Sequence, residues 1–268
     1  MSFTVPTIEW AGLAPVLIIL GAGVLGVLFE AFVPRGGRLP VQAGLSVLAI
    51  LGSGVVFVLR WAQVLPQDPR TGQVSPSGRV LAAGISEDPF AVAAQGIMLV
   101  IGLLAVLVMA DLTTAGDGAF AAQAADRPGS AEETESLHHG WMATEVFPLM
   151  LFSLAGMMLF PMVSNFITLF VVLELISLPL YIMAATARHR RLLSQEAALK
   201  YFVLGAFASA FLLLGSAFLY GLSGSVSYTS VAGALAAGGV LGMDWLGLAG
   251  VALVTVGLLF KTAAAPFH

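Results

Sequence analysis

Seven long apolar stretches restrict this chain more than any other feature of its sequence. Each runs for about 18–25 residues with few charges, the length a helix needs to cross a hydrocarbon layer of about 30 Å. They cover residues 11–33, 41–61, 89–110, 146–163, 165–187, 195–221 and 246–265. Because lipid offers no partner for backbone N–H and C=O groups, isolated spans of this kind must be helical. The sequence therefore predicts an all-α, polytopic transmembrane bundle of about seven helices.

The composition excludes a soluble domain and several kinds of redox site. Of the 268 residues, 59% are hydrophobic and only 10% are charged, and the mean hydropathy is +0.97. A soluble domain of this size needs more charge to keep its surface solvated. The chain has no Cys, which excludes disulfides and thiolate ligation of iron–sulfur clusters. We expect no cofactor within this chain and no nucleic-acid partner.

One segment, residues 112–144, differs in kind from the apolar stretches. Gly, Ala, Asp, Glu and Ser dominate it, and such a composition is typical of a flexible acidic insertion. It separates residues 1–111, with three predicted spans, from residues 145–268, with four. We therefore divide the chain into these three regions.

The arginines predict which side of the membrane each loop occupies. Arg35 and Arg38 follow the first span, and three more arginines follow the fifth, whereas residues 223–244 contain neither Lys nor Arg. Short loops rich in Lys and Arg stay in the cytoplasm. The N-terminus is thus predicted to lie outside the cell and the insertion in the cytoplasm.

Three ionisable residues within the predicted spans give the strongest functional signal: Glu174, Lys200 and Lys261. A charge in hydrocarbon costs roughly 2.5–3.5 kcal/mol on insertion scales, so such residues usually mark a charge or proton pathway. All three fall in the middle-to-inner part of the membrane if each span rises about 1.5 Å per residue. Each also has a structural explanation, since Glu174 could join two helices and the lysines could snorkel to the interface.

Two prolines lie close to these charges. Pro179 lacks the N–H that would bond the carbonyl of Leu175, and Pro266 lacks the N–H that would bond the carbonyl of Thr262. Such interruptions are tolerated in a membrane where protein or water satisfies the freed carbonyl. The pattern predicts a break in the last span beside Lys261.

Local signals predict two helix starts and one packing face. Asn165 is expected to cap the fifth span, and Ser194 the sixth, with Glu196 in the first turn of that helix. Gly205 and Ser209 are four residues apart, as are Ala206 and Ala210. Small residues at this spacing favour close packing of helices within the bundle.

Three segments around the charged residues resemble a known family. They are LELISLPLY at 173–181, EAALKYFVLGAFASA at 196–210 and FKTAAAPFH at 260–268. These strings resemble the antiporter-like membrane subunits of proton-pumping NADH:quinone oxidoreductase (respiratory complex I), and subunit N in particular. The strong match covers about residues 145–268. The resemblance implies the first half of a 14-helix antiporter-like fold, with the first of two inverted repeats truncated after His268.

The resemblance also implies a function and a set of site residues. Glu174, Lys200, Lys261 and His268 would form a proton relay within a translocase, the redox-driven NADH:quinone oxidoreductase. The redox chemistry, with NADH, FMN, iron–sulfur clusters and quinone, would be carried by partner subunits. Other membrane subunits, among them the related subunit M and small membrane subunits, are the implied partners. The implied location is the inner (plasma) membrane of the cell.

Two other functions remain open at this stage. A cation/proton antiporter subunit of the Mrp type shares the same glutamate and lysines, and would need a sodium site with further carboxylates or hydroxyls beside Glu174. Ser177 is the one such residue evident in the sequence. A purely structural membrane scaffold would require all three charges to be silent.

Overall fold

Helices make up most of the described chain. The computed structural model describes residues 8–64, 79–110, 119–121, 129–139, 143–187, 191–237 and 244–264. The helices are α1 Trp10–Phe32, α2 Arg35–Val64, α3 Pro89–Ala110, α4 Ala131–His138, α5 Val146–Leu159, α6 Phe166–Ala185, α7 Arg191–Ser223, α8 Tyr228–Ala236 and α9 Asp244–Lys261. A short antiparallel hairpin joins β1 (Arg79–Ala82) and β2 (Ile85–Glu87), and a 3₁₀ turn at Phe160–Met162 extends α5.

The predicted polytopic helical bundle is confirmed. Within the described residues, five helices are long and apolar enough to cross a membrane: Trp10–Phe32, Arg35–Trp61, Pro89–Ala110, Phe166–Ala185 and Arg191–Ser223. The other two predicted spans correspond to shorter apolar helical stretches, Val146–Met162 and Trp245–Lys261. Each of the seven apolar stretches thus contains one helix, although two of them fall short of the usual spanning length.

Helix α5 lies at the centre of the first group of helices. Phe147, Leu154 and Met158 have no exposed surface, and they pack with residues of α1, α2 and α3 in one apolar core. A helix that is apolar on every side is stable only when other elements surround it. The position of α5 inside the bundle agrees with its composition and its short length.

Helices α6, α7, α8 and α9 contribute to a second core. Leu173, Leu212 and Val254 are among its buried residues. Backbones approach closely here: a Cβ added at Gly257 would lie 2.8 Å from the Ala208 carbonyl oxygen. Small residues allow such contacts between membrane helices.

The boundaries of α6 and α7 test the two predicted caps. The Asn165 side chain accepts a hydrogen bond of 2.7 Å from the Thr168 backbone N–H, so the predicted cap of α6 is confirmed. Helix α7 begins at Arg191 rather than after Ser194, and the prediction that Ser194 caps it with Glu196 in its first turn is wrong. Residues 191–194, which precede the predicted start at residue 195, are already helical.

The β hairpin closes one end of the bundle. Its turn passes through Gly84 at φ +81°, a left-handed conformation that favours glycine. The side chains of Asn165 and Thr168 occupy the space that a Cβ at this position would need. The hairpin is therefore fitted against the start of α6.

Part of the predicted insertion lies against the opposite end. Helix α4 falls within residues 112–144, and the Ala121 N–H donates a 2.8 Å bond to the Thr186 carbonyl at the end of α6. The Ala143 N–H in turn donates to the Ala121 carbonyl at 3.1 Å. These bonds join the described part of the insertion to the end of the helix that carries Glu174.

Candidate functional site

Glu174 lies in the middle of α6, on the side that meets α7 and α9. Its side chain is 23% exposed. The Oε1 atom accepts a hydrogen bond from the Ser209 hydroxyl of α7 and another, at 3.3 Å, from the Lys261 ammonium of α9. Three neighbouring helices therefore converge on one carboxylate oxygen.

Lys261 is the last residue of α9, and its side chain is 12% exposed. Besides the carboxylate, its ammonium contacts the Ser177 hydroxyl at 3.0 Å. A cation at a helix C-terminus is stabilised by the helix dipole. Lys261 thus combines a favourable helix position with a carboxylate and a hydroxyl from the facing helix α6.

A backbone turn ends α9 directly after Lys261. Ala263 adopts φ 51°, the left-handed region that is unusual for a residue with a side chain. The Ala264 N–H bonds the Leu259 carbonyl at 3.0 Å, and the Ala263 N–H bonds the Phe260 carbonyl at 3.0 Å. This pair of bonds defines a Schellman motif. The predicted interruption beside Lys261 is therefore a helix end formed by residues 262–264.

The structure describes only one of the two prolines that lie close to the charged residues. Pro179 lies inside α6, where it is buried, and α6 continues through it to Ala185. Pro266 lies outside the described residues, and so does His268. The proposed place of His268 in a proton path stays a prediction.

Lys200 does not join the Glu174–Lys261 pair. Its side chain is 68% exposed, and its ammonium lies 2.5 Å from Glu196 one turn earlier on α7. This is an i,i+4 ion pair on the outer face of the helix. The structure therefore brings two of the three predicted charges together and places the third on a separate face.

Helix α5 fixes the backbone of α6 beside Glu174. The Ser153 hydroxyl donates a 3.1 Å hydrogen bond to the Ile176 carbonyl. A Cβ added at Gly156 would lie 3.0 Å from the Ile176 nitrogen, so the two helix backbones are nearly in contact. The segment that carries the carboxylate is thus held firmly against the centre of the first core.

Tyr181 completes the surroundings one turn beyond Ser177. Its ring is in edge-to-face contact with Tyr201 of α7, with centroids 4.5 Å apart. The Tyr181 hydroxyl lies against Gly205, where a Cβ would overlap it. The small residue at 205 therefore serves the packing of α7 on α6, as its spacing with Ser209 indicates.

A second charged cluster joins α1, α2 and the segment before α5, and the sequence analysis missed it. Glu30 accepts hydrogen bonds from Arg38 at 2.9 Å, Gln42 at 2.8 Å and Thr144 at 2.7 Å. Gln42 also donates to the Gly26 carbonyl at 2.8 Å. The sequence did contain a signal for this cluster, because Glu30 is a charged residue within the first apolar stretch.

A buried ion pair was missed in the same way. Arg60, near the end of α2, contacts Glu87 of β2, and the two side chains are only 8% and 3% exposed. Arg60 lies inside the second apolar stretch. It joins the hairpin to the helix at the end of the bundle opposite Glu30. Within the described ranges, no group of three or more His, Cys, Asp or Glu is arranged to hold a metal ion.

Known proteins resemble this chain in both sequence and fold. Residues 163–268 match the family model described as NADH:quinone oxidoreductase/Mrp antiporter, transmembrane. The chain is 48% identical over 272 residues to the NADH-quinone oxidoreductase subunit N of Beutenbergia cavernae, a match that covers 100% of this chain and 50% of the relative. The chain thus spans about half the length of the curated relatives it matches.

Two solved structures share the arrangement of helices. Respiratory complex I from Thermus thermophilus with bound aureothin contains a chain that is 26% identical, with a TM-score of 0.62, and the match covers 95% of this chain and 45% of that one. The Mrp complex from Dietzia sp. contains one that is 20% identical, with a TM-score of 0.62, covering 95% of this chain and 42% of that one. At that identity the second match shows the fold alone.

Proposed function

This chain belongs to the family of NADH-quinone oxidoreductase subunit N, and we propose that it is a proton-translocating membrane component of such a redox-driven complex. In this role it acts as part of a translocase and carries no redox step itself. NADH, FMN, iron–sulfur clusters and quinone belong to other subunits. The proposed setting is the inner (plasma) membrane, with the N-terminus outside and residues 112–144 in the cytoplasm.

The contact between Glu174 and Lys261 carries the proposal. Two opposite charges, 23% and 12% exposed, lie 3.3 Å apart between α6 and α9, two helices of largely apolar sequence. Charged side chains in a membrane interior are costly and mark ion or proton pathways. An ion pair of this kind lowers the cost of both charges only while the two groups remain together.

The proposed mechanism uses that dependence. While Glu174 faces the ammonium, Lys261 keeps its proton. When the pair separates, an apolar environment disfavours the ammonium, and the lysine releases its proton to the next group. Lys200 on α7 and His268 are the proposed further relay groups. The energy for separating the charges comes from the redox reaction in partner subunits.

The partners follow from the same proposal. Related antiporter-like subunits, including subunit M, and small membrane subunits would pack against the apolar surfaces of this chain. Residues such as Phe202, Phe207 and Leu214 leave one side of α7 uncovered within the described chain. An uncovered apolar face in a membrane protein is suited either to lipid or to a neighbouring helix.

The replacement Glu174→Gln tests the proposal in the assembled complex in membrane vesicles. Electron transfer from the donor to an artificial acceptor should continue, while proton pumping coupled to quinone reduction should fall at least about tenfold, the effect of losing one charged hydrogen-bond partner. Ser216→Ala on α7 is a matched control, because its hydroxyl bonds only the Leu212 carbonyl of its own helix at 2.7 Å. Pumping by the Gln variant at the wild-type rate would exclude the relay.

An Mrp-type cation/proton antiporter remains the second candidate, and one observation favours it. Two hydroxyls, Ser177 and Ser209, lie beside the Glu174–Lys261 pair, as a sodium site would require. The ammonium of Lys261, however, occupies the position between the carboxylate and the Ser177 hydroxyl. Sodium-dependent proton exchange in vesicles without redox substrate would favour the antiporter. Proton transport that occurs only when redox substrate is added, and that does not depend on sodium, would favour the redox-driven pump.

A further inference from the structure

We propose that Ser209 is a positioning residue that keeps the Glu174–Lys261 pair loose enough to open, with Ser177 as its counterpart on the lysine side. This inference rests on the proposed function, because it concerns how the same pair is regulated. It assigns a role to two hydroxyls that are not themselves charged and that do not carry the proton.

Ser209 and Lys261 share one acceptor atom. Both donate to Oε1 of Glu174, although they lie on different helices, α7 and α9. An oxygen that already accepts one hydrogen bond holds a second donor less tightly. The Ser209 hydroxyl therefore competes directly with the ammonium for the carboxylate.

The ion pair between Glu174 and Lys261 is long. The Nζ–Oε1 distance is 3.3 Å, whereas charge-assisted N–H···O bonds are about 2.7–2.9 Å long. The ammonium is closer to the Ser177 hydroxyl, at 3.0 Å, than to the carboxylate. Ser177 in turn donates its proton to the Leu173 carbonyl at 2.7 Å, which leaves its oxygen free to accept from Lys261.

Both serines are buried. Ser209 is 6% exposed and Ser177 is 5% exposed. A buried hydroxyl is stable only when it is bonded, and a serine in a helix can satisfy itself by donating to a carbonyl of the preceding turn. Ser216 does so on the same helix, but Ser209 donates across to Glu174 instead.

Few other ionisable side chains surround the Glu174–Lys261 pair in the described part of the chain. On α6 and α7 the neighbouring titratable groups are Tyr181 and Tyr201. Helix α5, packed behind α6, contains no Asp, Glu, Lys, Arg or His. Lys200 and Glu196 pair with each other on the exposed face of α7. The two serines are therefore the polar groups best placed to adjust the pair.

The Glu174–Lys261 pair can therefore be in contact or separated, with a hydrogen-bond partner for each group in both states. With both hydroxyls present, each charge has a second partner, so separating the pair leaves neither group without a hydrogen bond. Without the Ser209 hydroxyl, the ammonium can close onto the carboxylate and form a shorter and stronger contact. A tighter pair holds the lysine proton more firmly and slows its release.

The variants Ser209→Ala and Ser209→Thr test this in the assembled complex in membrane vesicles. Ser209→Ala should lower the rate of proton pumping about tenfold, the scale of one hydrogen bond to a charged group. The pH dependence of its pumping rate should shift to higher pH, because Lys261 releases its proton less readily from a tighter pair. Ser209→Thr retains the hydroxyl and should restore most of the rate and the original profile.

Ser216→Ala is the matched control, since it removes a buried hydroxyl from the same helix without touching the pair. A double-mutant cycle with Ser177→Ala adds an independent measurement: because both serines act on one ion pair, their effects should not be additive. Wild-type pumping and an unshifted pH profile in Ser209→Ala would overturn this inference. If Glu174→Gln also pumped normally, the proposed function itself would fail, so the two failures can be distinguished.

Discussion

At the scale of single residues, the two lysines differ in their surroundings although both lie in apolar stretches. Lys261 is 12% exposed and bonds groups on another helix, whereas Lys200 is 68% exposed and bonds Glu196 of its own helix. A lysine that is itself largely buried and contacts a partly buried carboxylate depends on that contact more than a lysine on an open face does. Burial and partners, rather than the apolar sequence around each lysine, distinguish their roles.

Lys261→Ala should therefore reduce proton pumping more than Lys200→Ala. The first change leaves the Glu174 carboxylate without its counter-charge, and the loss should be about tenfold or greater, as for other contacts with charged groups. The second change removes an exposed i,i+4 pair of small energetic value. Pumping in vesicles, normalised to assembled complex on a native gel, gives the comparison. A larger loss of pumping in Lys200→Ala than in Lys261→Ala would mean that Lys200 does not function from the exposed face of α7 described above.

The buried pair of Arg60 and Glu87 leads to a prediction about stability. Arg60→Met should leave the Glu87 carboxylate buried without its counter-charge and reduce stability by about 3–5 kcal/mol. The double variant Arg60→Met with Glu87→Leu should recover most of that loss, because no charge then remains in the apolar contact. Thermal unfolding in detergent measures both. A double variant as unstable as the single one would show that the pair is not the source of the effect.

The sequence reveals single residues unevenly, and the reason is geometric. Glu174 and Lys261 are visible because each lies inside an apolar stretch, where a charge is costly. The role of Ser209 is not visible, because it depends on the rotation of α7 against α6, and its spacing with Gly205 indicates only close packing. Glu30 and Arg60 lie near the ends of their stretches, where a charge is ordinarily attributed to the membrane surface.

At the scale of helices, the contact between α5 and α6 sets the position of Glu174. The close approach at Gly156 involves the backbone of Leu175 and Ile176, the residues directly after the glutamate. Ser153 adds a hydrogen bond to the same turn. A change on α5 can therefore alter the site without touching any charged residue.

Gly156→Ala should displace α6 beside Glu174. The added Cβ would lie 2.8 Å from a side-chain atom of Ile176 and 3.0 Å from its backbone nitrogen, and overpacking of this kind costs about 1–3 kcal/mol. Both thermal stability and pumping should fall. Gly21→Ala on α1 is the matched control, because nothing lies within 4 Å of the added atom. Equal thermal stability and equal pumping in the two variants would mean that α6 accommodates the added methyl group without displacing the Glu174 carboxylate.

The helices also show what a sequence pattern can and cannot predict. All seven apolar stretches contain a helix because lipid requires one. Their boundaries are less predictable: α5 has 14 residues and packs among other helices, and the described part of α7 begins at Arg191, before the predicted start at residue 195. The sequence predicts an interruption of α9 beside Lys261, but it does not indicate a Schellman motif with Ala263 at φ 51°, since glycine is the usual residue there.

At the scale of the whole chain, two groups of helices contain two different charged clusters. One apolar core joins α1, α2, α3 and α5, and the other involves α6 to α9. Glu30 and its donors belong to the first group, while Glu174 and Lys261 belong to the second. Among the described residues, no hydrogen bond or ion pair links the two clusters directly. We infer that the first cluster serves stability and the second serves proton transfer.

Glu30→Gln tests this division. The amide can accept fewer hydrogen bonds than the carboxylate and cannot neutralise Arg38, so stability should fall by about 1–3 kcal/mol. The amount of assembled complex on a native gel should decrease, while pumping per assembled complex should stay at the wild-type rate. Glu132→Gln, on the exposed surface of α4, is the control for removing an acidic charge.

Combining Glu30→Gln with Ser209→Ala makes the test sharper. Effects at sites without shared partners should add, so the double variant should show the stability loss of the first change and the pumping loss of the second. A Glu30→Gln complex that assembles normally but fails to pump would place Glu30 in the proton pathway. The two groups of helices would then act as one unit, and α1 and α2 would belong to the relay rather than to the scaffold that supports it.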